Sequence, residues 1–200
     1  MAGEDFDRTR PLSEHTVYAD VPNRVVAFAL DGLFISILIV VASAILWILK
    51  GPTIRFNAGG LSVDQSSAIA NAILSTALSA IYFVASWSVL GGSPGQRALA
   101  MRVNRDGNYE NLSVAQGLIR WLLLAPPFGA AVVVLGVPGE AAFWIQLAAW
   151  AWYLILLITT ARSPTKQGLH DRAAHSAVIK AARPVSWSAI TAREPTRRVR

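Results

Sequence analysis

Asp31 is the residue whose type and position most directly imply chemistry, because it is the only charged residue in the apolar stretch 25–49. A carboxylate in the hydrocarbon region of a membrane costs roughly 2.5–3.5 kcal/mol on insertion scales, so it usually faces the protein interior and has a partner or a function. Burial also favours the protonated form of a carboxyl group. Asp31 is therefore a candidate site for a cation or an exchangeable proton.

Two arginines are candidate partners for this carboxylate. Arg24 precedes Asp31 by seven residues, which on a helix places both on one face about 10 Å apart along the axis, too far for a tight pair. Arg120 stands at the start of a later apolar stretch. Two interpretations follow. In one, an Asp31–Arg120 ion pair fixes helix packing; in the other, Asp31 binds an ion and the arginines lie around it.

Polar residues recur with helical spacing in two other apolar stretches. Gln146 precedes Tyr153 by seven residues in the last stretch. In the second stretch the recurring residues are Asn71, Ser75, Ser79, Tyr82 and Ser86. Such a stripe on one helix face can line a pathway, or it can let helices approach closely and bond across their interface.

These side chains need helices to position them, and the sequence contains four apolar segments of suitable length. Hydrophobic residues make up 54% of the 200 residues and charged residues 15%. The segments are residues 25–49, 68–90, 121–137 and 141–161. About 17 to 25 residues cross a bilayer core at 1.5 Å per residue. We therefore predict an all-α membrane protein with four transmembrane helices.

The third segment is the shortest and is interrupted by Pro126-Pro127. Ser113 and Gln116 fit a capping box, which predicts that its helix begins before residue 118. The proline pair predicts a kink and not a stop, because neighbouring helices can satisfy the freed carbonyl groups.

The distribution of basic residues predicts the orientation. Sixteen of the 18 lysines and arginines lie before residue 25, in the 91–120 loop or after residue 161, and Lys50 and Arg55 are the other two. The positive-inside rule then places both termini and the central loop in the cytoplasm, in a multi-pass protein of the inner or plasma membrane. The predicted domains are a polar tail (1–19), a four-helix domain (20–181) and a basic, disordered tail (182–200).

Two local patterns predict structure in the central loop. Ser93 can cap a short surface helix that Pro94 opens. Asp106-Gly107 predicts a tight hairpin turn between residues 101–105 and 108–112.

Other chemistry is not expected. The sequence contains no Walker loop and no Gly-x-Ser-x-Gly or His-Glu-x-x-His pattern, so we do not predict an enzyme. There is no cysteine, and His170 and His175 beside Asp171 lack further ligands, so neither a metal site nor a cofactor is predicted. No pattern accompanies the basic tail that would indicate nucleic-acid binding. The expected partners are the lipid bilayer, a small cation or proton, and a second copy of the chain in a homo-oligomer.

Four blocks in fixed order carry a family resemblance. They are residues 24–31 (RVVAFALD), residues 92–97 (GSPGQR) with 102–103 and 106–107, residues 112–113 with 120–121, and residues 169–172 (LHDR). Together they resemble the RDD family of membrane proteins over roughly residues 20–180. That family is named for one arginine and two aspartates, which match Arg24, Asp31 and Asp171.

The resemblance implies the four-helix membrane fold and a role for the signature positions. Ser93 and Gln96 stand where the family often has Thr and Lys, so this loop has lost one positive charge. His175 and Ser176 stand where small residues are usual. Transport of undefined ligands has been suggested for the family, and some members exchange Na⁺ or Li⁺ for H⁺.

Two functional hypotheses result. In the first, the protein transports a small cation or exchanges Na⁺ or Li⁺ for H⁺, with Asp31 as the binding carboxylate and Arg24, Arg120 and Asp171 as a supporting charged network. In the second, it is a non-transporting scaffold or partner-binding membrane protein with a structural Asp31 ion pair. Under the first hypothesis the pathway is lined by Asn71, Ser75, Ser79 and Gln146.

Overall fold

A computed structural model of the chain describes residues 17–57, 60–125 and 140–180, and three long apolar helices dominate it. Numbering all helices in chain order, these are α1 (Val21–Lys50), α2 (Gln65–Val89) and α5 (Glu140–Arg162). Each is long and apolar enough to cross a membrane. The first, second and fourth predicted segments are therefore confirmed as helices of membrane-spanning length.

The outward faces of these helices are apolar. No more than 11% of the most apolar window of any of them is buried inside the chain. Ile48 and Leu49, for example, are 76% and 75% exposed. Soluble monomers rarely expose contiguous apolar surface of this extent, whereas lipid chains solvate it without cost.

Helix α4 (Val114–Leu124) leads into the third predicted segment, 121–137, and contains residues 121–124 of it. The predicted capping box is present: Ser113 Oγ accepts from Gln116 N at 3.2 Å, and the Gln116 side chain accepts from Ser113 N at 3.1 Å. The remainder of that segment, including Pro126-Pro127 and the kink predicted there, lies outside the described residues. So do the basic tail and most of the polar N-terminal tail, and the count of four spans therefore stays a prediction.

The connection between α1 and α2 contains a β-hairpin that the sequence analysis did not predict. Strands β1 (Ile54–Asn57) and β2 (Gly60–Val63) pair antiparallel, with Ile54 opposite Val63. After β2, Asp64 caps α2 by accepting a hydrogen bond from Ser67 N at 2.9 Å. The hairpin thus connects the C-terminal end of α1 to the N-terminal end of α2.

The central loop contains the predicted short helix, α3 (Pro94–Ala98), with Ser93 as its N-cap residue. Strand β3 (Met101–Arg105) follows it. The predicted turn is also present, since Gly107 has a φ of +87°.

The predicted hairpin partner of β3 was wrong. An isolated bridge between Asn104 and Asn111 and a hydrogen bond from Arg105 N to Glu110 O at 2.8 Å join the segment 108–112 to β3, but it forms no strand. The strand that pairs with β3 throughout is β4 (Ser176–Lys180), with Val103 opposite Val178. The physical reason is burial. Residues 108–112 are mainly polar, whereas Ala177, Val178 and Ile179 in β4 are at most 3% exposed.

The best-buried part of the molecule is the end at which this sheet lies. Residues 17–19 run along the other edge of β4, where Ala19 N donates to Val178 O at 2.9 Å. Trp87, Met101, Val103 and Val178 are each no more than 2% exposed. The short helix α6 (Leu169–Ala173) precedes β4. This packed end, which we call the sheet end, supports the charged side chains described next.

Candidate functional site

Asp31 lies in the third turn of α1 and is 2% exposed. Its Oδ1 accepts hydrogen bonds from Tyr82 Oη of α2 and from the backbone N–H of Gly95 in α3, both at 2.8 Å. Its Oδ2 accepts from Ser93 Oγ at 2.5 Å. Three donors from two other helices therefore satisfy the carboxylate, and they fasten the central loop to α1.

Gly95 allows this close approach because it has no side chain. A Cβ at this position would collide with the Ala27 carbonyl oxygen and would lie 2.9 Å from Asp31 Cγ and Oδ1. Real Cβ atoms do not approach other atoms so closely. The contact between α3 and α1 thus requires glycine.

The Asp31–Arg120 ion pair, one of the two interpretations of the sequence, is not formed. Arg120 instead pairs with Asp171 of α6, with its Nη2 2.8 Å from Asp171 Oδ1. Among the described residues, no basic side chain lies within ion-pair distance of Asp31. Asp31 therefore has the hydroxyl and amide donors of Tyr82, Ser93 and Gly95 as partners, where a cationic partner was expected.

Asp171 is the centre of the charged network. It is fully buried, and Arg24 Nη1 donates to its Oδ2 at 2.6 Å. The backbone N–H of Gly168 donates to the same oxygen at 3.3 Å. The carboxylate therefore joins α1, α4 and α6, and it brings together three of the four charged residues that the sequence analysis singled out.

The two arginines are held by further contacts. Arg24 Nε donates to Ala19 O at 3.0 Å. The guanidinium carbon of Arg120 lies 4.6 Å from the centroid of the Trp87 ring, a cation–π geometry. Arg120 is only 2% exposed, so its charge is largely removed from bulk solvent.

The charges in this network do not balance. Burial raises the pKa of Asp171, but the neighbouring His170, Arg120 and Arg24 side chains lower it more, so the pKa of this carboxyl group lies below its ordinary value. Burial lowers the pKa of His170 to about 4, despite the neighbouring carboxylate. At neutral pH the network therefore holds two positive charges, one negative charge and a neutral imidazole.

Several N–H groups of the arginines also lack acceptors. Within the part of the chain that the structure describes, Arg24 Nη2, Arg120 Nε and Arg120 Nη1 are buried and have no hydrogen-bond partner. Leaving a buried polar group unpaired costs about 1–3 kcal/mol, and more for a charged group. In the same described part, Asp171 Oδ1 and His170 Nδ1 are also buried without a hydrogen-bond partner. The network is thus short of negative charge, and three guanidinium nitrogens have no acceptor in their present geometry.

A cavity of about 800 Å³ adjoins the network. Side chains from α1, α2, α4 and α5 line it, and the polar ones include Arg24, Asp31, Arg120 and His170. Most of the remaining lining is apolar or aromatic. All four helices thus contribute to one site that combines a positively charged end with an apolar body.

The predicted pathway residues divide into two pairs. Ser79 and Gln146 line the cavity, and Ser79 Oγ accepts from Trp121 Nε1 at 3.0 Å. Asn71 is not among the lining residues; its Oδ1 accepts from Ser43 Oγ of α1 at 2.7 Å. Ser75 Oγ donates back to Asn71 O in its own helix at 2.7 Å. Asn71 and Ser75 therefore serve helix structure and packing.

The sequence analysis missed the direct partners of Asp31. Tyr82 was part of the predicted polar stripe, so its spacing was a usable signal. Ser93 and Gly95 were interpreted only as a helix start. No local pattern indicates that this loop reaches a carboxylate more than 60 residues earlier in the chain.

No metal centre is evident in the described ranges, 17–57, 60–125 and 140–180: they contain no cluster of three His, Asp or Glu side chains that could hold an ion. The charged network offers one carboxylate and two guanidinium groups, and guanidinium does not ligate metals. Chemically, this donor-rich end is suited to binding an anion.

Comparison with known families gives one match. The model of the RDD family matches residues 18–175, a region that includes Arg24, Asp31, Arg120 and Asp171. No curated protein and no solved structure matches the chain.

Proposed function

This chain belongs to the RDD family, its apolar helices are those of an integral membrane protein, and we propose that it binds an anion in the cavity between α1, α4 and α5. The observation that carries the proposal is the unbalanced pairing of two arginines, the buried Arg120 and the partly buried Arg24, with the single carboxylate of Asp171. An anion in the cavity would supply both the missing charge and the missing acceptors.

Desolvation of the arginines is the electrostatic reason for anion binding. A charge removed from water must be compensated by an opposite charge and by hydrogen bonds, or the fold is destabilised by several kcal/mol. Asp171 compensates one arginine but cannot compensate two. Guanidinium groups bind carboxylates and phosphates through paired N–H donors, and Arg120 has two such donors unpaired among the described residues.

Asp31 is also a negative charge at the cavity. Its oxygens are already occupied by Tyr82, Ser93 and Gly95, and no ion pair joins it to either arginine in the described parts of the chain. It therefore compensates the arginines less than a directly bound anion would.

Cation transport, or exchange of Na⁺ or Li⁺ for H⁺ at Asp31, is a second candidate. One observation favours it: Asp31 is a buried carboxylate of a long apolar helix and lines the cavity. The three donors on its oxygens and the arginines at the same cavity oppose a cation. If Asp31→Asn abolished pH-gradient-coupled Na⁺ flux in proteoliposomes, this candidate would replace the first. We also propose that the sheet end faces the cytoplasm of a plasma membrane, because most basic residues accompany it.

The anion proposal is testable with full-length protein in a maltoside detergent. The thermal unfolding midpoint, Tm, is measured while sodium phosphate replaces sodium chloride at constant ionic strength. At 100 times its Kd a ligand stabilises the folded state by about 2.7 kcal/mol, equivalent to a Tm rise of about 5–10 °C for a chain of this size. We expect such a rise for the parent protein and none for Arg120→Gln.

Arg172→Gln is the matched control, because Arg172 neighbours Asp171 in sequence but is exposed. It should respond to phosphate as the parent does. If Arg120→Gln fails to fold, Arg120→Lys retains the charge without the paired donors and should show a smaller rise. An equal rise in the parent and the Arg120 variant, or no rise in the parent, would contradict the proposal.

A further inference from the structure

We infer that the bound anion is the head group of an amphiphile with a single acyl chain, whose chain lies in the apolar part of the cavity. This inference rests on the anion site proposed above and adds the class of ligand. It follows from how polar and apolar side chains are distributed along the cavity.

The basic side chains that line the cavity lie together at one end, whereas the lining carboxylate of Asp31 is outside this group. Arg24, Arg120 and His170 belong to the network around Asp171, and Thr160 lies beside them on α5. Thr160 Oγ1 already donates to Leu156 O at 2.7 Å. A small hydrophilic anion would contact only this end.

The cavity continues from there along α5. Lining residues occur on this helix from Thr160 back to Gln146, a distance of roughly 20 Å at 1.5 Å per residue. One leaflet of a bilayer core is about 15 Å thick, half of roughly 30 Å. The lining between these two residues is Ala149, Trp150, Tyr153, Leu154, Leu156 and Leu157.

These dimensions fit an acyl chain better than a compact ligand. The volume of about 800 Å³ lies within the range of roughly 300–1,000 Å³ that holds one drug-sized molecule. A chain along α5 would cover the apolar lining while its head group reaches the arginines. A free inorganic anion would leave most of this lining without a contact.

The rim of the cavity is open to lipid. Val25 of α1 is 53% exposed, and Trp150 and Leu154 of α5 are 64% and 56% exposed. These side chains belong to the apolar helices and would contact lipid tails in a membrane. An amphiphile could therefore enter sideways from the bilayer with its chain remaining in an apolar environment.

The experiment compares two neighbouring alanines of α5. Ala149 lines the cavity and is 7% exposed, whereas Ala148 is exposed and is not among the lining residues. Radiolabelled palmitate bound by immobilised full-length protein is measured for the parent, Ala149→Phe and Ala148→Phe. Octanoate, hexadecylamine and phosphatidylglycerol serve as unlabelled competitors.

We expect Ala149→Phe to weaken palmitate binding at least about tenfold by filling the apolar part, and Ala148→Phe to bind as the parent does. The phosphate-dependent Tm rise should persist in both variants, because the arginines are unchanged. Octanoate and hexadecylamine should compete at least about tenfold less well than palmitate, the first for lack of chain length and the second for its positive charge. If Ala149→Phe does not fold, Ala149→Leu tests the same point with less added volume.

The failures of the two proposals are distinguishable. Equal palmitate binding by the two alanine variants, or equal competition by octanoate or hexadecylamine, would refute the single-chain ligand while the phosphate response upheld the anion site. Competition by phosphatidylglycerol as strong as that of palmitate would identify a two-chain bilayer lipid instead. Absence of any phosphate response would remove both proposals.

Discussion

Arg120 Nη2 lies 2.8 Å from Asp171 Oδ1, with 3% and 0% of the two side chains exposed. This contact joins the second turn of α4 to α6, and Arg24 connects the same carboxylate to α1. Because two arginines share one acid, the network is held together but keeps a positive charge.

Asp31→Asn should destabilise the protein by about 1–3 kcal/mol, because the amide nitrogen would face a donor where the carboxylate oxygen now accepts one. Tm in detergent measures the effect, with the exposed Asp106→Asn as the matched control. The parent Tm should also be the same in sodium chloride and choline chloride. A sodium-dependent Tm that disappears in Asp31→Asn would instead support a cation site.

Gly95→Ala should lower stability by about 1–3 kcal/mol or more, because the added methyl group overlaps the Ala27 carbonyl and the Asp31 carboxyl group. Gly32→Ala is the control: it adds the same methyl group to α1, where no atom lies within 4 Å of the new Cβ. That change should be neutral or slightly stabilising, as expected for a helix interior. Equal losses of Tm in the two variants would argue against the close contact of α3 with α1.

His170 should make stability depend on pH on the acidic side. Its pKa is about 4 in the folded protein and 6.5 in the reference state, so the unfolded chain binds the proton more readily. The folded state is then favoured fully above pH 6.5, and this contribution, on the order of 3 kcal/mol, is lost as the pH falls toward 4.

His170→Gln should flatten the loss of Tm between pH 6.5 and 4. His175→Asn is the control, because His175 is exposed and has a φ of +46°, which asparagine tolerates. Asp171 stays ionised through this window, because its pKa lies below its ordinary value. If Tm fell as steeply between pH 6.5 and 4 in His170→Gln as in the parent, the buried imidazole would not be the cause of this loss of stability.

The pairing of β3 with β4 can be tested with introduced cysteines, since the chain has none. Arg102 stands opposite Ile179 in the antiparallel register, so Arg102→Cys with Ile179→Cys should form a disulfide under mild oxidation. Arg102→Cys with Asn111→Cys tests the hairpin that the sequence alone suggested and should not cross-link. Each variant is cleaved between its two introduced cysteines and run on a non-reducing gel. A disulfide keeps the two fragments together, whereas without one they separate.

Features with a local signal were the predictable ones. Apolar length located α1, α2 and α5, and the Ser113–Gln116 and Ser93-Pro94 patterns located the starts of α4 and α3. The charged network has no local signal, because Arg24 and Asp171 are 147 residues apart in sequence. The same holds for the β3–β4 pairing, so a turn signal at Asp106-Gly107 led to the wrong partner strand. The family resemblance marked Asp171, but only the structure showed that it replaces Asp31 as the partner of Arg120.

The most direct test of the central claim is the phosphate response of Asp171→Asn. Removing this carboxylate raises the charge of the network and frees further arginine donors, so phosphate should bind more tightly than to the parent, on the order of tenfold. In the Tm titration against chloride, the variant should be less stable without phosphate and should gain more from it, while Arg120→Gln gains nothing. A response equal to or weaker than that of the parent, or an unfolded variant that phosphate does not rescue, would contradict an anion site built on Arg24 and Arg120.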